Sequence, residues 1–80
     1  MLETLCLING RPLRVKYRKQ FEEGEAFKGI IFLKSAIPFY CHALNENLVL
    51  FEPQSLDQSL KDAIFKAIKK DQSLKKKNSY

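Results

Sequence analysis

The sequence predicts a small α+β domain of two layers, in which an antiparallel sheet of four or five strands carries one C-terminal amphipathic helix packed on one face. Two observations predict this class. Residues 55–70 contain a single stripe of apolar side chains at the helical period. Before them, short apolar runs are separated by turn residues, as expected for strands. A helix with such a stripe needs an apolar surface to pack on, and a sheet formed by the preceding residues supplies it.

The chain of 80 residues has the length of one domain. We expect residues 1–70 to be folded and residues 71–80 to form a disordered basic tail. The net charge is +5, but Lys75, Lys76 and Lys77 supply three of these charges, so the remainder is close to neutral. No stretch has the length of a membrane span or the pattern of a signal peptide, and we therefore expect a cytoplasmic protein with reduced thiols.

The helix is predicted over residues 55–70. Ser55 and Gln58 have the spacing of a capping box, in which each side chain bonds the backbone N–H of the other. Asp57 precedes Lys61 by four residues, the favourable order for an ion pair on a helix. The apolar stripe consists of Leu56, Leu60, Ala63, Ile64, Ala67 and Ile68.

The strongest hairpin signal is the pair Asn9-Gly10 between the runs 2–8 and 11–17. Asn and Gly tolerate the positive φ angles that a tight two-residue hairpin turn requires. Counting outward from this turn predicts the cross-strand pairs, which are Ile8 with Arg11, Leu2 with Tyr17, Glu3 with Lys16, Thr4 with Val15, Leu5 with Arg14, and Cys6 with Leu13. The pair of Glu3 and Lys16 joins opposite charges, which supports this register.

Residues 26–34 are predicted to be a central strand, because both of its faces are apolar in the middle. Residues 36–44 allow two interpretations: their aromatic residues favour a strand, whereas Ser35 could cap a short helix with Pro38 in its first turn. Residues 48–51 are predicted to form a short last strand. The predicted core is Leu13, Val15, Tyr17, Ile31, Leu33, Val49, Phe51, Leu56, Leu60, Ile64 and Ile68.

Four apolar residues are predicted to point away from the helix: Leu5, Leu7, Ile30 and Phe32. A single helix cannot cover both faces of a sheet, and large exposed apolar patches usually mark an interface. Three outcomes are open for these four residues: the sheet curls into a small barrel, two copies of the chain pack face to face, or another protein binds there. The alternative is that sheet curvature and the aliphatic stems of neighbouring Lys and Arg residues cover them.

A basic stripe is predicted on the same face. Alternate residues of one strand lie about 7 Å apart, close to the spacing of nucleic-acid phosphates, and Phe32 and Tyr40 could stack on bases beside them. The stripe could equally be an ordinary solvated strand face. The candidate nucleic-acid-binding residues are Arg14, Lys16, Arg18, Lys28, Lys75, Lys76 and Lys77.

No motif for catalysis, metal binding or a cofactor is present. Cys41 and His42 are adjacent, so on a strand they would point to opposite faces and could not share a proton. Two Cys residues and one His, without a CxxC spacing, make a zinc site a poor interpretation.

The sequence thus predicts a small non-enzymatic binding or regulatory protein, with no cofactor and no small-molecule substrate. We expect it to act through protein contacts on the face of its sheet, as a homodimer or as an inhibitor or adaptor of a partner. The alternative is a nucleic-acid-binding module that uses the basic stripe and the lysine-rich tail.

Overall fold

The computed structural model describes residues 1–20 and 24–77. In this part of the chain five strands precede one helix: β1 (Leu2–Ile8), β2 (Arg11–Gln20), β3 (Glu25–Phe32), β4 (Ala36–Leu44), β5 (Asn47–Glu52) and α1 (Gln58–Lys77). The strands form one antiparallel sheet in chain order, with β1 and β5 at its edges. The helix packs on one face of the sheet, so the predicted α+β architecture is confirmed.

The β1–β2 hairpin has the predicted turn and register. Asn9 and Gly10 have φ angles of 51° and 78°, both positive as the two-residue turn requires. All six predicted cross-strand pairs are present. Pro12 pairs with Leu7 but lies beyond the end of the β2–β3 ladder, so its missing N–H leaves no gap in that ladder.

The ambiguous segment 36–44 is strand β4, and the helical alternative is wrong. Phe39, Cys41 and Ala43 are buried while the residues between them are more exposed, which is the period of two of a strand. β4 pairs with β3 from Ala36 to Ala43 and with β5 from Tyr40 to Leu44, so ladders on both sides satisfy the backbone of its second half.

Two residues of the predicted core are exposed. Leu33 is 43% exposed because β3 ends at Phe32 and Leu33 already belongs to the turn that follows. Val49 is 56% exposed because the β4–β5 register shifts beside it. Ala43 pairs with Leu48 and the next pair skips one residue of β5, so Leu48 faces the core in place of Val49.

The remaining predicted core residues are buried or packed against the buried cluster. The predicted core omitted several members of that cluster, although Cys6 and Phe27 share a strand face with residues that it included. These omitted residues are Cys6, Phe27, Phe39, Cys41, Ala43 and Phe65.

The helix is shifted towards the C-terminus relative to the prediction. It begins at Gln58, so Ser55 lies in the preceding turn and Asp57 takes the N-cap position, where its carbonyl accepts a hydrogen bond from the Lys61 N–H at 3.0 Å. The Lys61 ammonium donates to the Gln54 carbonyl at 2.8 Å. At its other end α1 continues to Lys77, so residues 71–77, predicted as tail, are helical; residues 78–80 lie outside the described part.

Polar contacts with the sheet anchor the first turn of the additional helix. Tyr17 is buried against Phe27, and its hydroxyl donates to the Asp71 carboxylate and accepts from Gln72 Nε2 at 3.1 Å. Burial, together with the hydrogen bond to Asp71, raises the pKa of Tyr17 to about 12. These contacts hold α1 to the sheet one turn beyond Ile68, where the buried apolar stripe ends.

The β4–β5 turn offers a test of this backbone description. Asn45 and Glu46 have φ angles of 52° and 67°, so Glu46 occupies the position that Gly10 fills in the first hairpin. A residue with a Cβ is strained there. We expect Glu46→Gly to raise the free energy of unfolding by about 0.5–1 kcal/mol in chemical denaturation.

The matched control is Gly10→Ala. No heavy atom lies within 4 Å of the added Cβ, so only backbone strain opposes the change, and we expect a loss of about 1–2 kcal/mol. A Glu46→Gly variant that is less stable than the parent would contradict the turn geometry.

Candidate functional site

The outer face is the side of the sheet that points away from α1. Its position follows from the alternation of side chains along each paired strand, since the intervening residues belong to the core beneath the helix. The residues of the outer face that matter here are Glu3, Leu5, Leu7, Arg14, Lys16, Arg18, Lys28, Ile30, Phe32, Tyr40 and His42.

All four predicted partner-binding residues lie on the outer face, but in two groups. Leu5 and Leu7 are on the edge strand β1 and are 58% and 71% exposed. Ile30 and Phe32 are on the central strand β3 and are half-buried. Side chains of β2 stand between the groups: Arg14 pairs with Leu5 on one side and with Phe32 on the other. The most exposed apolar surface is therefore at the edge of the sheet.

Cations cover the aromatic ring at the centre of the outer face. The Arg14 guanidinium lies 5.0 Å from the centroid of the Phe32 ring, and the Lys16 ammonium lies 5.8 Å from it. Both distances are within the range of cation–π attraction. The aliphatic stems and charged heads of β2 thus partly cover the centre of the face, in the way the alternative interpretation of the sequence expected.

The ion pair of this face differs from the predicted one. Glu3 stands opposite Lys16, as predicted, but its carboxylate binds Arg14 diagonally, with Nε 3.3 Å from Oε2 and Nη2 3.2 Å from Oε1. The hydrogen bond from Arg14 lowers the pKa of Glu3. The planar guanidinium forms two parallel bonds with a carboxylate, which a lysine cannot do, and this favours the diagonal partner.

The basic stripe continues towards the other end of β2. Arg18 stands directly opposite Lys28, and Lys28 stands opposite Tyr40 on β4. Arg18 and Lys28 are both exposed, and like charges directly opposite each other destabilise a sheet. The predicted residues Lys75, Lys76 and Lys77 fall in the last turn of α1, and their side chains lie outside the described part of the structure.

Cys41 and His42 point to opposite faces of the sheet, as the sequence predicts. Cys41 is buried beneath α1, whereas His42 is half-exposed on the outer face. Burial raises the pKa of Cys41 to about 12 and also raises the pKa of Cys6, so both thiols are protonated at neutral pH. Both cysteines are free.

Within residues 1–20 and 24–77 no group of three or more His, Cys, Asp or Glu side chains is arranged to hold a metal ion. None of the helices in these ranges has the length and apolar character needed to cross a membrane.

The outward-pointing backbone groups of the edge strand β1 were not among the features predicted from the sequence. In a two-residue hairpin the residues flanking the turn form a hydrogen-bonded pair, so inward and outward backbone groups alternate from there. Ile8 and Arg11 are that flanking pair. The N–H and C=O groups of Glu3, Leu5 and Leu7 therefore point outward, away from β2. The Asn9-Gly10 signal would have been enough to predict this alternation.

Comparison with protein-family models, with curated proteins and with solved structures finds no match to this chain.

Proposed function

We propose that this chain is a small non-enzymatic binding protein that acts through protein contacts at its outer face, with the β1 edge as the centre of the contact. The observation that carries the proposal is the exposure of Leu5 and Leu7, at 58% and 71%, on an edge strand whose backbone groups also point outward. Apolar side chains beside free backbone donors and acceptors are the surface that strand-addition partners use.

The outer face has a suitable size for such a contact. Five strands spaced about 4.8 Å apart and about 20 Å long make a face of roughly 24 by 20 Å. The two leucines lie at one side of this area, and half-buried Ile30 and Phe32 lie at its middle. Burying a fully exposed leucine contributes about 1.5–3 kcal/mol, so the edge pair alone can supply a substantial part of a binding free energy.

Two further observations support a binding role. The nucleophilic and basic side chains Cys41 and His42 are separated by the sheet, which disfavours their cooperation in catalysis. Both cysteines are free thiols, which is consistent with a reducing compartment, and we propose a cytoplasmic location.

The test is affinity capture with a tagged chain, washed at high salt, comparing wild type with the double variant Leu5→Lys/Leu7→Lys. We expect wild type to retain a stoichiometric protein, either a partner or untagged chain, and the double variant to lose it, because two charges replace the apolar contact. Val49→Lys is the matched control, since Val49 is 56% exposed on the opposite edge strand. Equal capture by wild type and the double variant would contradict the proposal.

A second candidate function is binding of single-stranded nucleic acid at the basic stripe. The direct opposition of Arg18 and Lys28 favours it, because a bound phosphate would relieve their repulsion. The Phe32 ring beside Arg14 and Lys16 supplies a surface on which a base can stack, as in other single-strand-binding sheets. On this proposal Lys75, Lys76 and Lys77 add non-specific attraction.

Fluorescence anisotropy with short labelled single-stranded DNA and RNA tests this candidate. Three phosphate contacts give a slope of about −2 for log affinity against log salt, and we expect Arg18→Ala to reduce its magnitude by about 0.7. Glu3→Gln should tighten binding, because it releases Arg14 from its ion pair. Binding that is unchanged between low and moderate salt, or in Arg18→Ala, would exclude the stripe as a phosphate site.

A further inference from the structure

The two edges of the sheet are protected to different degrees. Proteins usually block edge strands with bulges, prolines or charges, because an open edge can pair with another strand. On β5 the ladder contains a register shift, and the strand ends at Glu52-Pro53. On β1 the register is regular throughout, and the one charged residue, Glu3, is bound to Arg14.

A groove of about 600 Å³ separates β1 from α1. Its helical wall combines the small side chains of Ala63 and Ala67 with Lys66, Lys70, Asp71 and Leu74. No other strand of the described part pairs with the outer edge of β1, and α1 packs against this strand from the covered face of the sheet. An added strand could therefore reach the outward backbone groups of Leu5 and Leu7.

The sequence of β1 favours a second copy of the same strand. The segment Leu5-Cys6-Leu7 reads identically in both directions. In an antiparallel pair with a two-fold axis at Cys6, Leu5 of each copy stands opposite Leu7 of the other. These pairs use outward-pointing backbone groups, so they form about four inter-chain hydrogen bonds. On the outer face the same arrangement gathers four exposed leucines into one cluster.

A dimer with the two outer faces stacked on each other is disfavoured by charge. Stacking would place the basic stripes of the two copies against each other. Each stripe includes Arg14, Lys16 and the exposed Arg18 and Lys28. Side-by-side pairing at the edge keeps these groups in solvent. The apolar pattern alone is compatible with face stacking and with edge pairing, and the charge distribution favours edge pairing.

We infer that the partner of the β1 edge is a second copy of this chain, paired antiparallel about Cys6, so that the two five-stranded sheets become one continuous sheet. This inference rests on the proposed function and names its partner. The contact is isologous, as in most symmetric dimers, because the same strand is used on both sides.

Sedimentation equilibrium of the full chain over a range of concentrations is the main test. We expect a reversible monomer–dimer equilibrium for wild type and for Val49→Lys. Leu5→Pro removes an outward N–H while leaving the inward ladder to β2 complete, and an edge position tolerates proline. It should raise the dissociation constant at least ten-fold. Leu5→Lys/Leu7→Lys keeps the whole backbone ladder and should do the same if the proline variant does not fold.

Oxidative cross-linking tests the register of the inter-chain β1 pairing. In the proposed pairing the two Cys6 residues form a non-hydrogen-bonded pair with Cα atoms about 4.5 Å apart, which is within reach of a disulfide. We expect an added oxidant to link the wild-type dimer covalently, Cys41→Ala to behave likewise, and Cys6→Ala to remain unlinked. A dimer that links through Cys41 would overturn the pairing about Cys6.

The outcomes separate this inference from the proposed function. A strict monomer at high concentration would overturn the inference, and a different protein captured by wild type but not by Leu5→Pro would then identify the edge as the site for another partner. If the wild-type chain is a strict monomer and the double variant Leu5→Lys/Leu7→Lys captures the same proteins as wild type, both the inference and the proposed function are overturned.

Discussion

The structure depends on one constraint: a single helix can cover only one face of a five-stranded sheet. On the covered side, Ile64 and Ile68 of α1 pack into a cluster that includes Val15, Tyr17 and Ile31 of the sheet. The strands alternate, so every residue placed beneath the helix has neighbours along the chain that face the other way. The outer face is thus a direct consequence of how the core is built.

That outer face combines two kinds of surface. Its centre is basic and aromatic, with Arg14 and Lys16 over the Phe32 ring, and its edge is apolar, with Leu5 and Leu7 exposed on β1. The two proposed functions use different parts, so they do not exclude each other. Pairing at the edge would place two basic stripes on one continuous sheet and would lengthen any surface available to a nucleic acid.

Local signals account for much of what the sequence predicted correctly. The Asn9-Gly10 turn specifies its own geometry, and the whole β1–β2 register follows from it. The four apolar residues of the outer face could be identified because the alternation of a strand fixes which side chains share a side. Features that depend on contacts distant in the chain could not be predicted. Tyr17 and Asp71 are 54 residues apart, and their hydrogen bond holds a helical turn that composition alone assigned to a tail.

Other errors have equally local physical reasons. The register shift beside Val49 has no signature in composition, and it exchanges the roles of Val49 and Leu48. The diagonal pairing of Glu3 with Arg14 depends on the forked geometry of the guanidinium, which residue spacing does not reveal. The first of these differences changes which side chain of β5 is exposed, and the second changes which cation of the outer face is paired with Glu3.

Amide hydrogen exchange along β1, measured by NMR at low and high protein concentration, tests the central claim most directly. With one helix on one face and an open edge, the amides of Thr4 and Cys6 should be protected at both concentrations. The amides of Leu5 and Leu7 should exchange fast in dilute solution and become protected as the concentration rises. Protection of Leu5 and Leu7 at every dilution would show that the chain covers its own edge. Fast exchange at every concentration would show that no second copy pairs there.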